Sequence, residues 1–360
     1  MRAALLRNIG DTQLEMRDDI ELTAVGPGEV RVKIAATGVC HSDLSVMNGT
    51  IPQPAPCVLG HEGAGIIAEV GEGVTTVAVG DHVIIAWSPP CGECAYCGPR
   101  HQPNLCFNIQ MVMGGTPHFT LDGAPVAGMA GAGTFAEEMI IPHQGVVKID
   151  DDIPLEIGSL VGCGVMTGVG AVLNTAKVTA GSSVVVFGCG GVGISCIMGA
   201  KVAGASVIVA VDLNDGKLED AKRFGATHAC KPEELESLKA SLTGGEGFDY
   251  AFEAIGLAST MRASYDNARR GGTACIVGVG KLDEFVNFSA FELFFSEKVL
   301  VGSYYGSADV RTDFHKLLGL WRDGSLDLDG MITRRIKLDD INEAFEAMQR
   351  GEVIRQVISF

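Results

Sequence analysis

The chain has 360 residues, 47% hydrophobic and 20% charged, the composition of a soluble globular protein large enough for two domains. Its formal net charge of −17 weighs against nucleic acid or an anionic membrane surface as a partner. The opening MRAALLRNIGDTQLEM lacks a signal-peptide core, and the longest apolar runs read as strand-sized, short of the roughly 20 residues of a membrane span.

Residues 1–90 read as short strands between turns, with candidates at 30–36, 63–70 and 81–86 separated by Pro-Gly, Gly-Glu-Gly and Gly-Asp. Two stretches interrupt this layout. The first combines GVCHSDL at 38–44 with GHEG at 60–63, placing Cys40 and His61, both zinc-compatible, among glycines, with Glu62 beside the histidine. Taken singly, Cys40 reads as well as a small core residue and His61 as a satisfied loop histidine. The flanking glycines favour loops in which backbone approaches something closely.

The second stretch carries Cys91, Cys94 and Cys97 at C-x2-C-x2-C spacing, with Cys106 nine residues on. Disulfides could use four such thiols. Eleven cysteines without a secretion signal, however, point to thiolates in a reducing, cytoplasmic setting and so to metal. A closed tetrahedral zinc site of four cysteines leaves no position for substrate, which makes this zinc structural. Residues 114–141 are a long glycine-rich excursion, either a surface loop covering a site or an interface element. Cys163, just ahead of a helix expected over 166–174, is a third candidate ligand.

From Ser182 strands and helices alternate. A strand at 184–187, the loop Gly188-x-Gly190-x-x-Gly193, a helix to about 203, a strand to 211 and then Asp212 follow the order of a dinucleotide-binding unit. Gly188 makes the tight turn. Gly190 and Gly191 let backbone approach a pyrophosphate, and Gly193 allows the helix to pack on the strand. The free N–H groups of the helix hold the phosphates. Asp212, 19 residues after Gly193, would accept hydrogen bonds from ribose hydroxyls and repel a 2′-phosphate, which selects NAD over NADP. Strands at 228–230, 250–253, 274–279 and 299–303, with helices at 215–224 and 233–242 among the crossovers, complete six strands of a doubly wound parallel sheet. After Ser307 a helix (310–323), a strand (332–336), a helix (341–350) and a strand (353–359) are expected to return to the N-terminal domain.

In this order, GVCHSD, GHEG, the cysteine lobe, Gly-Cys163-Gly, GCGGVG with Asp212 and the closing GEVIRQVISF closely resemble the zinc-dependent medium-chain alcohol dehydrogenases over essentially the whole chain. The 114–141 excursion resembles the class I/III-like subgroup that includes the dimeric animal and plant enzymes. The resemblance implies an α/β protein with a GroES-like, mostly-β catalytic domain over 1–164 and 305–360 and a Rossmann domain over 165–304. It implies two Zn2+ per chain. Cys40, His61 and Cys163 would hold the catalytic zinc with a fourth position open, and Cys91, Cys94, Cys97 and Cys106 the structural one. Glu62 would stand behind the catalytic zinc or occasionally ligate it, Asp43 would orient His61, and Ser42 would take the hydroxyl proton and pass it outward. For NAD, the resemblance gives the pyrophosphate to His41 and Arg355, the adenosine ribose to Lys217 beside Asp212, and the nicotinamide to Thr167 and Val192.

The implied activity is reversible NAD-linked oxidation of a primary alcohol to an aldehyde by a cytoplasmic homodimer, with a homotetramer as the alternative. Zinc supplies the acidity: an alcohol yields hydride readily only as its alkoxide, and the metal lowers the pKa of a bound hydroxyl. Three departures from the family pattern matter. The Cys97–Cys106 spacing is one residue longer than usual. Ser45 stands where the proton relay often ends on histidine. The pocket positions Ile51 and Trp87 are apolar, and Gln110 stands where thiol-adduct dehydrogenases tend to have an arginine. With Ser42 in place of threonine, this pocket suits medium-chain or aromatic primary alcohols. The alternative is a formaldehyde dehydrogenase acting on the S-hydroxymethyl adduct of a low-molecular-weight thiol.

Overall fold

The computed structural model describes residues 1–108 and 117–360. It divides into two compact units. One comprises Met1–Gly164, Asp309–Gly319 and Leu328–Phe360, and the other Val165–Ala308 with Leu320–Asp327.

The first unit is built on the strand Glu29–Val39. Val30, Val32, Ile34 and Ala36 alternate toward a buried face, as a half-buried strand requires, and from Ala36 to Cys40 the strand is buried on both sides. It pairs antiparallel with Glu62–Val70, Glu138–Pro142 and the closing strand Arg355–Ser359, where Ile358 opposes Thr37. The C-terminal segment therefore completes the sheet that leads to Cys40. Register shifts at Arg31/Val32 and Ile34/Ala36 bend the Glu29–Val39 ladder beside Glu62–Val70.

Local structure differs from expectation at four places. GVCHSDL is not a loop: His41–Met47 is helical, because the Asp43 carboxyl reaches back to the Cys40 N–H and caps the first turn. Cys163 stands just ahead of the helix Met166–Gly170, as expected, but it also lies inside a longer helical run, in the wide π-turn Val161–Val165. That run, Leu155–Thr175, is 21 residues long and apolar enough in composition to cross a membrane, so the apolar runs are not all strand-sized. Its interspersed Gly, Ser, Thr and Asn disguised it, and its burial within the fold makes it a core helix. The glycine-rich excursion is more than a surface loop over its described part. Phe119–Leu121 and Ala124–Gly128 form a hairpin, and Phe119, Val126 and Phe135 lie in the core.

The second unit holds six parallel strands in the order His228–Cys230, Val207–Val211, Ser183–Phe187, Phe248–Glu253, Ala268–Ile276 and Val299–Gly302. Val184–Phe187 and Ile208–Val211 are buried on both faces, so β-branched runs without alternation are what a helix-covered parallel sheet demands. The order reverses between Ser183–Phe187 and Phe248–Glu253, and ligands of such sheets bind at the carboxyl ends of the strands flanking that reversal.

Candidate active site

Cys40, His61, Glu62 and Cys163 converge in the first unit. One ligand-type atom from each lies within 4.8 Å of all the others, and all four residues are buried. Cys40 sits where the Glu29–Val39 strand gives way to the His41–Met47 helix, and His61 immediately precedes Glu62–Val70. The GHEG glycines make that approach possible. A Cβ on Gly60 (φ +87°) would lie 2.6 Å from the Phe135 nitrogen, and one on Gly63 would lie 2.7 Å from Thr134 Cγ2.

Asp43, fully buried, ties two ligand loops together. One carboxyl oxygen accepts from the Cys40 N–H at 3.0 Å and the other from the Gly60 N–H at 3.1 Å. The second oxygen also lies 3.4 Å from His61 Nδ1, long for a hydrogen bond but close for an ion pair. This turns Nε2 of the ring toward the cluster. A hydrogen bond from Cys163 holds the Cys40 thiol well below its usual range, against the effect of burial and with help from His61. Burial opposes charge on His61, yet Asp43 and Cys40 raise it to about 10. Two thiols, an imidazole and a carboxyl at this separation suit tetrahedral zinc, which replaces the protons that otherwise hold the cluster together.

Glu62 pairs with Arg355, which is buried beside it. Glycine makes room here too: a Cβ on Gly38 would fall 2.2 Å from a Glu62 carboxyl oxygen. Sequence reasoning gave Arg355 a phosphate role and missed this pairing, for which no local signal existed. Ser42 Oγ is 3.6 Å from Cys40 Sγ, and Ser45 lies one turn further along the same helix. Trp87 meets the His61 ring edge-on, with centroids 6.4 Å apart. Ile51 packs on the cluster containing Leu44, Met47 and Phe135. Gln110 lies outside the described residues.

Cys91, Cys94, Cys97 and Cys106 form a second cluster within the same 4.8 Å limit. Their sulfurs stand 3.5 Å (Cys94 to Cys97), 3.8 Å (Cys94 to Cys106) and 3.9 Å (Cys91 to Cys97) apart. Backbone N–H groups of Cys94 and Cys91 point at the sulfurs of Cys91 and Cys106, the arrangement that stabilises thiolates around a metal. The turn Pro103–Leu105 takes up the long Cys97–Cys106 spacing.

In the second unit, Gly188 (φ +93°) turns the chain after Phe187, and a Cβ on Gly193 would stand 1.7 Å from the Gly188 carbonyl oxygen. Gly190 faces open space, and the Gly191–Val202 helix begins without a side-chain cap or an acidic residue in its first turn. Such an N-terminus accommodates a pyrophosphate. The Asp212 carboxyl is held by the N–H groups of Cys189 (2.8 Å) and Asn214 (3.0 Å). Thr167, Val192 and Lys217 are half-buried; the backbone at Gly168, next to Thr167, packs against the Val192 carbonyl. His41, in the first unit, is exposed.

Residues 26–151 match the alcohol dehydrogenase GroES-like domain and residues 191–322 the zinc-binding dehydrogenase domain. An S-(hydroxymethyl)glutathione dehydrogenase of Paracoccus denitrificans is 39% identical over 95% of this chain and 96% of its own length. The chain belongs to the zinc-dependent alcohol dehydrogenase family. A class-3 alcohol dehydrogenase of Caenorhabditis elegans is 41% identical over 95% of this chain and 93% of that protein. The solved structure of benzyl alcohol dehydrogenase from Acinetobacter calcoaceticus superimposes with a TM-score of 0.91 at 31% identity, covering 100% of this chain and 99% of that one. As a zinc alcohol dehydrogenase the chain is an oxidoreductase that uses NAD and zinc, and its two clusters supply donor sets fit for a catalytic and a structural ion.

Proposed function

We propose that this enzyme oxidises the S-hydroxymethyl adduct of a low-molecular-weight thiol, moving hydride from the –CH2OH carbon to NAD+ and leaving an S-formyl thiol and one proton. The observation that carries this reading is the 39–41% identity over 95% of the chain to relatives named S-(hydroxymethyl)glutathione dehydrogenase or class-3 alcohol dehydrogenase. The second reading, medium-chain or aromatic primary alcohols, draws on Trp87 against the His61 ring, the glutamine at 110 and the benzyl alcohol dehydrogenase likeness.

Both substrates present the same –CH2OH, so the site chemistry is common to them. Cys40, His61 and Cys163 would hold the catalytic Zn2+, whose Lewis acidity makes the substrate hydroxyl acidic enough to lose its proton near neutral pH. Asp43 keeps the His61 ring oriented and both ligand loops in place. Ser42 takes the hydroxyl proton and hands it toward Ser45. Arg355 offsets the charge of Glu62, so that two thiolates and a neutral imidazole dominate the donor set. Asp212 and Lys217 receive the adenosine ribose, the 188–193 loop the pyrophosphate, and Thr167 and Val192 the nicotinamide. Catalytic residues then fall in 1–164 and 305–360, and the cofactor-binding ones mainly in 165–304.

The enzyme is read as a homodimer, with a homotetramer as the alternative. Val299–Gly302 is an edge strand whose Val299 and Leu300 are exposed, close in sequence to exposed Phe291, Phe294 and Phe295, a surface that isolated chains rarely leave open. Eleven cysteines, none of them in a disulfide, support a cytoplasmic location. The deciding experiment measures turnover of formaldehyde, with and without a cellular thiol, against benzyl alcohol and hexanol, each with NAD and NADP. Thiol-stimulated formaldehyde oxidation exceeding the alcohols supports the adduct reading. Alcohol turnover that dominates and ignores thiol replaces it with the second.

A further inference from the structure

Glu253 is the last residue of the Phe248–Glu253 strand, on one side of the reversal in the parallel sheet, and it is completely buried. Its carboxyl is used unevenly. Oε1 accepts three hydrogen bonds, from the N–H of Ile255 (3.0 Å), the N–H of Gly256 (2.8 Å) and the hydroxyl of Thr260 (2.7 Å). Oε2 has no hydrogen-bond partner. A half-satisfied buried carboxyl costs free energy and calls for a compensating role.

The surroundings suggest that role. A Cβ on Gly278 would lie 2.7 Å from Glu253 Oε2 and 2.3 Å from the Gly256 nitrogen, and a Cβ on Gly256 (φ +96°) would lie 2.4 Å from the Val279 carbonyl oxygen. The Glu253 carbonyl accepts from the N–H groups of Val277 (2.8 Å) and Gly278 (3.0 Å). One residue thus locks the segment 254–256 to the segment 277–279, with glycines where the two backbones touch. The locked pair reaches the pyrophosphate loop directly: the Ala254 N–H donates to the Phe187 carbonyl, and Ile255 Cγ1 would be 2.6 Å from a Cβ on Gly188.

We infer that Glu253 is a positioning residue for NAD, a clasp that fixes segments 254–256 and 277–279 against Gly188 and so sets the cofactor groove at the carboxyl ends of the central strands. The inference rests on the use of NAD by this family. It assigns the unpartnered oxygen a steric reason: a group the size of a carboxyl or carboxamide fits between the Gly256 N–H and Gly278, and a side chain on Gly278 would push the segments apart.

The test is NADH titration of the full-length, zinc-loaded protein by nicotinamide fluorescence, with metal content and Tm measured on each variant. Wild-type binding establishes the cofactor independently; a wild-type chain that binds no NADH overturns both the cofactor use and the clasp. Glu253→Ala is expected to weaken NADH binding about tenfold or more, and to raise KM for NAD with kcat at saturating NAD nearly unchanged. Glu253→Gln keeps the accepting oxygen and is expected to recover most of that loss. Gly278→Ala, which wedges the same contact while leaving the Glu253 side chain in place, should reproduce the Glu253→Ala defect if Glu253→Ala fails to fold. NADH affinity within about twofold of wild type in a folded Glu253→Ala or Gly278→Ala chain overturns the clasp, as does a kcat loss with KM for NAD unmoved.

Discussion

Replacing Asp43 with Asn tests how the catalytic metal site is held. The carboxyl accepts from Cys40 N–H at 3.0 Å and Gly60 N–H at 3.1 Å, and it stands 3.4 Å from His61 Nδ1. Asn keeps the volume but offers one accepting oxygen in place of two, and its NH2 must face one of the backbone donors. One hydrogen bond to a charged group is lost and one buried N–H is left opposing another, each worth about 1.5–3 kcal/mol, and the two are not additive. The resulting loss of about 1.5–3 kcal/mol corresponds to roughly 10–100-fold in zinc affinity, the range usual for groups that support a metal ligand. The four-cysteine cluster makes none of these contacts and serves as an internal control. Metal analysis after dialysis against a graded chelator should show bound zinc falling from about two per chain toward one, with activity lost in parallel. A D43N chain that keeps both ions, with affinity within about twofold of wild type, would refute the reasoning.

The metal-free site also has a defined pH response. His61 raised to about 10 holds a proton that zinc must displace, so apparent zinc affinity should rise by up to about tenfold per pH unit from neutrality toward that value and then level off; a flat profile in titrations of metal-free protein counts against it. Gly193→Ala places a Cβ 1.7 Å from the Gly188 carbonyl oxygen and should destabilise the cofactor unit by at least about 1–3 kcal/mol, read as a lowered Tm with lost NADH binding. Asp212→Ser removes the acceptor held by the Cys189 and Asn214 N–H groups, and should cut kcat/KM for NAD about 10–100-fold while that for NADP changes less. Ser45→His should introduce a titration between about pH 6 and 8 into the rate of hydride transfer, absent from the serine enzyme; an unchanged pH profile would show that position 45 lies off the proton path.

Much of this protein is legible locally. The glycine loop with Asp212, the four-cysteine lobe and the fully apolar strands of the parallel sheet each place their chemistry within a short span of chain, so spacing alone carries the argument. The helix at His41–Met47 was missed because its cap is a side chain three residues inside it, and the Leu155–Thr175 core helix because its glycines and hydroxyls break the apolar pattern. Cys40 and His61, read singly, were ambiguous; the order of motifs and their resemblance to a family joined them with Cys163.

What only the tertiary structure decided is the support around those ligands. Asp43 reaching Gly60, Thr134 and Phe135 packing on the GHEG glycines, and Arg355 pairing with Glu62 all depend on strands distant in sequence finding one register in a single sheet. The sequence by itself determined which groups can hold zinc and NAD, because residue type sets ligand chemistry. Their orientation came from long-range packing, because a buried carboxyl or guanidinium finds its partner only once the backbones around it are fixed.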